Sequence, residues 1–531
     1  MTQPYTVRCA TLNLLRQLGM TRIFGNPGST ELPLFRNFPS DFEYILGLQE
    51  GIVMGMADGY AQATRRASFV NLHSAAGVGH AMANIFTAFK NQTPLLITAG
   101  QQARSLLQFD PFLHSNQAVD LPKPYVKWSC EPACAKDVPQ ALARAYYIAM
   151  QEPCGPVFVS IPADDWDVSC EPVTIRHIAF TSRADAGILQ QIARALVGAQ
   201  SPALVVGTGI DRSGAWQAVA QLAEQQQTRV FVAPMSGRCG FAEDHPLFSG
   251  FLPALRERIV QQLTGHDVVL VLGAPAFTYH VEGFGPHVPE GCQLFQLTDD
   301  PQVAAWAPVG TAAVGNIRAG VEELLAIANT YPKAVRTTPT LAAKPPTPLP
   351  PAQGERMSVA FAMHTLSGIR PRSSIIVEEA PSSRPVIQQY LPIYEAETFY
   401  TMCSGGLGHS MPAAVGIALA KPDKKIIAVI GDGSAMYAIQ ALYSAAQLKL
   451  PITFVIINNR RYAALQDFAP VFGYAEGEAV VGTELPQLDF VSLARGMGVE
   501  GVQVMQAEHL ADTLTKALKH PNPILVEIAV A

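Results

Sequence analysis

Near each end of the 531-residue chain, one order of signals occurs twice. In the first stretch, a helix rich in alanine and glycine, Gly51 to Ala63, precedes an apolar strand at 68–72 and the turn His73-Ser74-Ala75-Ala76-Gly77. A second helix ends near Lys90, and Pro94 opens another strand. In the second stretch a helix runs from Gly408 to Lys421, and a strand at 425–430 enters Gly431-Asp432-Gly433-Ser434. Its second helix ends near Lys449, and Pro451 opens the strand that reaches Asn458-Asn459. Order and spacing nearly coincide. Chance likeness between two α/β units is one explanation; two copies of one fold, facing a ligand that needs both, is the other.

Short apolar strands alternate with helical segments throughout. They fall at 44–48, 68–72 and 95–98, then at 203–207, 268–273 and 294–297, then at 375–377, 426–430 and 453–457. Such alternation predicts βαβ units and parallel sheets. Helices cover both faces of a parallel sheet, so its strands can be apolar on both sides. The expected fold class is therefore α/β, with three parallel-sheet αβα domains of which the first and third are homologous. Proline-marked transitions divide the chain into 1–180, 181–340, a Pro-rich linker at 341–354 and 355–531. Three domains also suit a chain of this length at about 150 residues each.

Composition narrows the partners. Lys plus Arg is 37 and Asp plus Glu is 43, without a long basic run, so nucleic acid is not expected. Charged residues make up 15%, below the roughly 25% usual for soluble domains, which suggests surface buried against a second subunit. The longest strongly apolar run, Val268 to Phe277, contains Gly273 and Pro275 and is about half a membrane span. Met1-Thr2-Gln3-Pro4 does not begin a visible signal peptide, so the expectation is a cytoplasmic protein away from membranes. The eight cysteines lack the short paired spacings of structural zinc and read as reduced thiols.

The most informative local pattern is Gly431-Asp432-Gly433 with Asn459 lying 27 residues after Asp432. The strand at 426–430 delivers Asp432 to a carboxyl edge, where open α/β sheets bind ligands. Glycines there permit a tight turn and bring backbone N–H groups close to phosphate. The next strand brings Asn459 to the same rim. A carboxylate and an amide oxygen are hard donors suited to Mg²⁺, with phosphate oxygens completing its six positions. Gly-Asp-Gly alone is weak; joined to strand, helix, strand and Asn-Asn it is much stronger. The chain lacks a Gly-x-x-x-x-Gly-Lys-Ser/Thr loop, and Gly207, Gly209 and Gly214 miss the Gly-x-Gly-x-x-Gly spacing. The middle domain is thus expected to keep a nucleotide-type fold without requiring a nucleotide.

This arrangement resembles the thiamine-diphosphate-dependent enzymes over essentially the whole chain. The resemblance implies the thiamine-diphosphate-binding fold, with pyrimidine-binding, middle and diphosphate-binding domains in that order. It implies that Asp432, Asn459 and the backbone oxygen of Arg461 hold Mg²⁺. Leu407, in Gly405-Gly406-Leu407-Gly408, would wedge the cofactor into its bent form. Asn26, Pro27, Gly28, Glu50, Gly431, Gly433, Ser434 and Tyr462 would complete the cofactor contacts. Glu50 matches the family's essential carboxylate, which hydrogen-bonds the aminopyrimidine so that its nitrogen can take the proton from C2. By itself, a glutamate at a strand–helix junction is more often a helix N-terminal charge.

Within that family the chain is similar to the benzoylformate decarboxylase branch. The runs that carry this are Phe24-Gly25-Asn26-Pro27-Gly28-Ser29-Thr30-Glu31-Leu32-Pro33, Asn71-Leu72-His73-Ser74, Val126-Lys127-Trp128-Ser129 and Gly273-Ala274-Pro275-Ala276-Phe277-Thr278-Tyr279-His280. The likeness implies that Ser29 meets the substrate carboxylate and that His73 and His280 move protons. Phe112, Leu113, Ala464, Leu465 and Phe468 would line the substrate pocket. Taken singly, Ser29 also suits a helix N-cap and His73 a structural histidine, although histidine is the side chain for proton transfer near neutral pH. The implied reaction is decarboxylation of an aromatic 2-oxo acid, benzoylformate first, to the aldehyde and CO₂, in the setting of mandelate catabolism. The alternative is a decarboxylase or carboligase for an aliphatic, branched or indolic 2-oxo acid. Three departures bear on the substrate: Pro381 removes a backbone donor, Asp467 replaces an aromatic residue, and His114 adds a histidine near the entrance. The family also implies a homo-oligomer, a dimer of dimers, with Glu50 of one chain facing Asp432 of another.

Overall fold

The computed structural model describes residues 5–332, 336, 345–352, 354–485 and 487–531. The first sheet contains β1 (Arg22–Gly25), β2 (Glu43–Leu46), β3 (Ser68–Leu72), β4 (Leu95–Gln101), β5 (Ser129–Cys130) and β6 (Val157–Pro162). The middle sheet contains β7 (Pro202–Val206), β8 (Arg229–Val232), β9 (Phe248–Phe251), β10 (Val268–Leu272), β11 (Gln293–Thr298) and β12 (Thr311–Val314). The third contains β13 (Ile375–Glu379), β14 (Phe399–Thr401), β15 (Ile426–Gly431), β16 (Ile452–Asn458), β17 (Glu500–Val504) and β18 (Ile524–Ala529).

The outer sheets share one topology, β2-β1-β3-β4-β6-β5 and β14-β13-β15-β16-β18-β17, whereas the middle sheet runs β12-β11-β10-β7-β8-β9. Strands of equal rank occupy equal places in the first and third sheets, so the repeat read in the sequence is a repeat of fold. Every residue of β3, β4, β6, β13, β16 and β18 is buried, as parallel strands covered on both faces require. The expected linker at 341–354 lies partly outside the described residues; 345–352 forms neither helix nor strand. Among the described residues, no helix is long and apolar enough to cross a membrane.

The outer domains are joined through a helix crossing. Helix Glu50–Thr64 is capped by the Gln49 side chain, which accepts from Gly51 N at 2.7 Å and Ile52 N at 3.3 Å. It contains Gly51, Gly55 and Gly59, each costing roughly 1 kcal/mol of helix propensity relative to alanine. Close packing offsets this for two of them. A Cβ at Gly55 would sit 2.5 Å from Pro412, and one at Gly59 would run into the Ala413 carbonyl of helix Ser410–Ala420. Gly416 of the second helix meets the Met56 carbonyl in the same way. Ile52, Val53, Met56 and Ala57 therefore share one core with Met411, Ala413, Ala414 and Val415.

The second helix begins at Ser410, not at Gly408 as the sequence predicts. Gly408 lies at φ +94°, outside the helical region, and a Cβ there would come within 2.9 Å of Tyr437. The crossing also yields a stability prediction. Gly416→Ala should cost about 3 kcal/mol, the upper end of overpacking effects, because the obstructing atoms are main chain. Urea denaturation measures it, and a loss under about 0.5 kcal/mol would mean that the helices separate without strain.

Candidate functional site

Adjacent strands β2, β1 and β3 end at one edge of the first sheet, and each delivers a predicted site residue there. After β1 the chain turns through Asn26, Pro27, Gly28 and Ser29; after β2 it reaches Glu50; after β3 it reaches His73. Glu50 is the first residue of its helix and is buried. Its Oε1 accepts from Asn26 Nδ2 at 3.3 Å, and its Oε2 lies 3.1 Å from Nδ1 of the exposed His80. Gly77 stands close enough that a Cβ would come within 3.4 Å of the carboxylate.

The Ser29 turn is organised by a residue to which the sequence reading assigns no role. Buried Glu31 accepts from Gly28 N and Gly100 N, both at 2.9 Å, and from Thr30 Oγ1 at 2.7 Å. The His73 Nδ1 lies 2.8 Å from the same carboxylate. Gly28 has no room for a side chain because the His73 ring fills that space. These contacts leave Ser29 exposed. It does not cap the short helix Leu32–Phe35, where Glu31 holds the N-cap position without a side-chain cap bond. Tyr44 places a buried hydroxyl, without a partner among the described residues, against Gly25, and burial together with Glu31 and Glu50 holds that phenol far above the usual tyrosine range.

The matching edge of the third sheet carries the second group. Asp432 follows β15 as the first residue of a short helix, Asp432–Met436, rather than within an irregular turn. Its Oδ1 accepts from Gly433 N and its Oδ2 from Arg460 N, both at 2.7 Å. Burial raises this carboxyl above its ordinary range, and the N–H donors only partly offset that. Arg460 adopts φ +61°, rare for a residue other than glycine, and so aims its N–H at Asp432 and at Asn458 Oδ1, 3.0 Å away. Half-buried Asn459 accepts from Arg461 N at 3.2 Å. The Tyr462 ring lies against Gly433 and excludes any side chain there, while Ser434 is buried in the first turn.

A second carboxylate missed by the sequence reading sets the neighbouring loop. Glu379, at the end of β13, accepts from Gly408 N at 2.6 Å, His409 N at 2.9 Å and Ser410 N at 2.7 Å. It satisfies otherwise orphaned donors at the start of a helix and fixes the end of Gly405–Gly408, where Leu407 is half-buried. Burial raises the Glu379 carboxyl against those same donors.

These features accommodate a diphosphate with a hard cation. The Asp432 carboxylate, the Asn459 amide and the Arg461 carbonyl offer oxygen only, the donor type that Mg²⁺ takes. Among the described residues, no three His, Cys, Asp or Glu side chains converge to offer another donor set. Gly405 sits at φ +76°, and among the described residues nothing lies within 4 Å of its would-be Cβ.

The remaining predicted residues fall in two places. His280, exposed on a middle-domain loop, packs its ring 4.7 Å from that of Phe468 at the end of helix Ala463–Phe468. Ala464 is half-buried on that helix, Leu465 is 56% exposed, and Asp467 is exposed. Phe112, 88% exposed, and Leu113 lie instead on a loop tied to the first domain through Gln101–Ser115 and Arg104–Asp165 contacts. Pro381 is exposed, and His114 pairs with Asp110 at 2.9 Å. Within one chain, no hydrogen bond among the described residues joins Glu50 or His73 to the Asp432 group. In the middle domain, Gly207 and Gly209 serve close packing against Gly273 and Ala274, with Gly209 N donating to Gly273 O at 2.9 Å.

Comparison with known proteins places these observations. Models of the thiamine pyrophosphate enzymes match three segments: the N-terminal TPP binding domain at residues 6–121, the central domain at 189–324 and the C-terminal TPP binding domain at 382–528. A relative from Pseudomonas aeruginosa, benzoylformate decarboxylase, is 42% identical over 98% of both chains. The crystal structure of benzoylformate decarboxylase from Polynucleobacter necessarius superposes with TM-score 0.95 at 36% identity, covering 99% of this chain and 98% of that one. The thiamine diphosphate-dependent 4-hydroxybenzoylformate decarboxylase of Rhodococcus jostii RHA1 gives 0.93 at 38% identity, over 99% of each.

Proposed function

The chain belongs to the thiamine pyrophosphate enzymes, and from that premise we propose that it decarboxylates aromatic 2-oxo acids, benzoylformate foremost, to the aldehyde and carbon dioxide. The observation that carries the reading is the pair of matching sheet edges, one presenting buried Glu50 beside Glu31-held His73, the other presenting Asp432 and Asn459. The 42% identity to a benzoylformate decarboxylase supports the substrate class.

Asp432, Asn459 and the Arg461 carbonyl would hold Mg²⁺, and Gly431, Gly433, Ser434, Tyr462 and Leu407 the thiamine diphosphate bound with it. Asn26, Pro27, Gly28 and Glu50 would receive its pyrimidine end. When bound, the cofactor supplies a nucleophilic carbon and a sink for the electron pair left by departing carbon dioxide. The chain's own groups do the rest. Glu50, buried and held by Asn26, would give a proton to the pyrimidine ring nitrogen and take it back, which keeps that proton in reach. Ser29, held clear by its pinned turn, offers its hydroxyl to the substrate carboxylate. His73 turns Nδ1 to Glu31, which leaves Nε2 free to exchange a proton. His280 does so from the other wall, its ring placed by Phe468.

The assembly follows the same reading. Exposed Phe112 and Leu465 are apolar surface that a monomer would leave in water. We place Phe112 and Leu113 of one chain opposite Ala464, Leu465 and Phe468 of another, in a dimer of dimers with Glu50 and Asp432 contributed by different chains.

The test is a comparison of kcat/KM for benzoylformate, 4-hydroxybenzoylformate, pyruvate, a branched 2-oxo acid and indolepyruvate. A phenyl ring buries about 60 Å² more apolar surface than a methyl group, or about 1.5 kcal/mol, so benzoylformate should exceed pyruvate around tenfold. A tenfold advantage for pyruvate or the branched acid would overturn the aromatic assignment and leave thiamine-dependent decarboxylation standing.

A further inference from the structure

Helix Ser74–Asn91 carries Asn84, Thr87 and Asn91 at spacings of three and four, which places them along one face. All three are buried, and each touches the segment that holds Leu407. Asn91 Oδ1 accepts from Cys403 N at 3.0 Å, Thr87 Oγ1 lies 2.8 Å from Ser404 Oγ, and Asn84 Nδ2 donates to Gly408 O at 3.2 Å. The loop is thus gripped at both ends, with Leu407 between.

The same side chains reach the Glu50 helix. Asn84 Nδ2 donates to Gly51 O at 2.7 Å, and Asn91 Nδ2 donates to Asp58 Oδ2 at 3.1 Å. Asp58 in turn lies 2.5 Å from Nε2 of buried His409, the residue after Gly408. The two hydrogens of one amide at position 84 therefore link the residue after Glu50 to the residue after Leu407. Its Oδ1 is buried without a partner among the described residues, an unfavourable feature for a residue that merely fills space.

We propose that Asn84, Thr87 and Asn91 are positioning residues that hold the Leu407 loop of one cofactor site against the first domain of the same chain, the domain whose Glu50 serves the neighbouring site. The proposal rests on the reading of Leu407 as a cofactor contact. Packing could hold two helices together without these bonds, but it would not fix the Gly408 carbonyl against the Gly51 carbonyl. The side-chain hydrogen bonds do that.

Calorimetric titration of the apoprotein with thiamine diphosphate at saturating Mg²⁺ tests this. Losing the two bonds of Asn84 in Asn84→Leu should weaken cofactor affinity about tenfold, and losing one in Thr87→Val about threefold. The apoprotein melting temperature should fall by no more than a few degrees, the consequence of losing buried hydrogen bonds in a chain of this size, and KM for benzoylformate at saturating cofactor should stay within about twofold of wild type. Asn84→His, which keeps one N–H, should recover part of the loss. Wild-type affinity in a folded Asn84→Leu protein, or a lower melting temperature with affinity retained, overturns the proposal. If Asn84→Leu does not fold, Thr87→Val decides: unchanged affinity overturns it. Failure of the wild-type protein to bind thiamine diphosphate would instead remove the functional reading itself.

Discussion

Replacing Asp432 with alanine should weaken Mg²⁺-dependent binding of thiamine diphosphate by a hundredfold or more, beyond the roughly 10–100-fold typical of groups that only support a metal ligand. Asp432 is the only carboxylate at its turn and is buried at the end of β15, between the N–H groups of Gly433 and Arg460. Burial raises its pKa, so the folded apoprotein disfavours the charged form there, and a bound cation would relieve that penalty. An acid whose folded pKa is raised detracts from stability once it ionises; in Asp432→Asn that relief is set against one backbone N–H left facing the amide nitrogen, so the apoprotein should stay within about 1 kcal/mol of wild type near neutral pH while losing the metal. Calorimetry of both variants, with chelated wild type as reference, gives the answer. Unchanged metal and cofactor affinity in Asp432→Ala would remove the central assignment of the third domain.

The sequence made the rims legible and left their supports hidden. Asp432, Asn459, Glu50 and His73 stand at strand ends that an apolar run followed by a turn announces. The repeat of fold could be found because its helices and strands recur in the same order. Glu31 and Glu379 were not recognisable, because their partners come from elsewhere in the chain: Gly100 N for one, Gly408 and Ser410 N for the other. A glutamate at such a junction reads as a surface charge until the fold brings donors to it. The glycines of the Glu50 helix posed the same difficulty. Gly55 and Gly59 read as weak helix positions until Pro412 and Ala413 are seen against them. Ser410 as the true helix start depended on the φ of Gly408, which sequence pattern does not reveal.

Glu50→Gln should fold normally and slow proton–deuterium exchange at C2 of bound thiamine diphosphate by about 10²–10⁴-fold, the usual range for loss of a positioned acid–base group. The amide matches the carboxylate in shape, and its oxygen can still accept from Asn26, so the helix start and its Gln49 cap are undisturbed. What the amide lacks is the charge and the capacity to hold a proton. The exchange rate, read by nuclear magnetic resonance after acid quench, reports this step without requiring turnover, and a wild-type rate would sink the proposed role. The same variant also tests assembly. Glu50 and the Asp432 group lie at the edges of different sheets, with no hydrogen bond joining them within a chain among the described residues. In the proposed assembly, mixing Glu50→Gln chains with Asp432→Ala chains under exchange conditions should restore activity, since one site of each hybrid dimer would combine an intact Glu50 with an intact Asp432. Silence in demonstrated hybrids would mean that each chain builds its site alone.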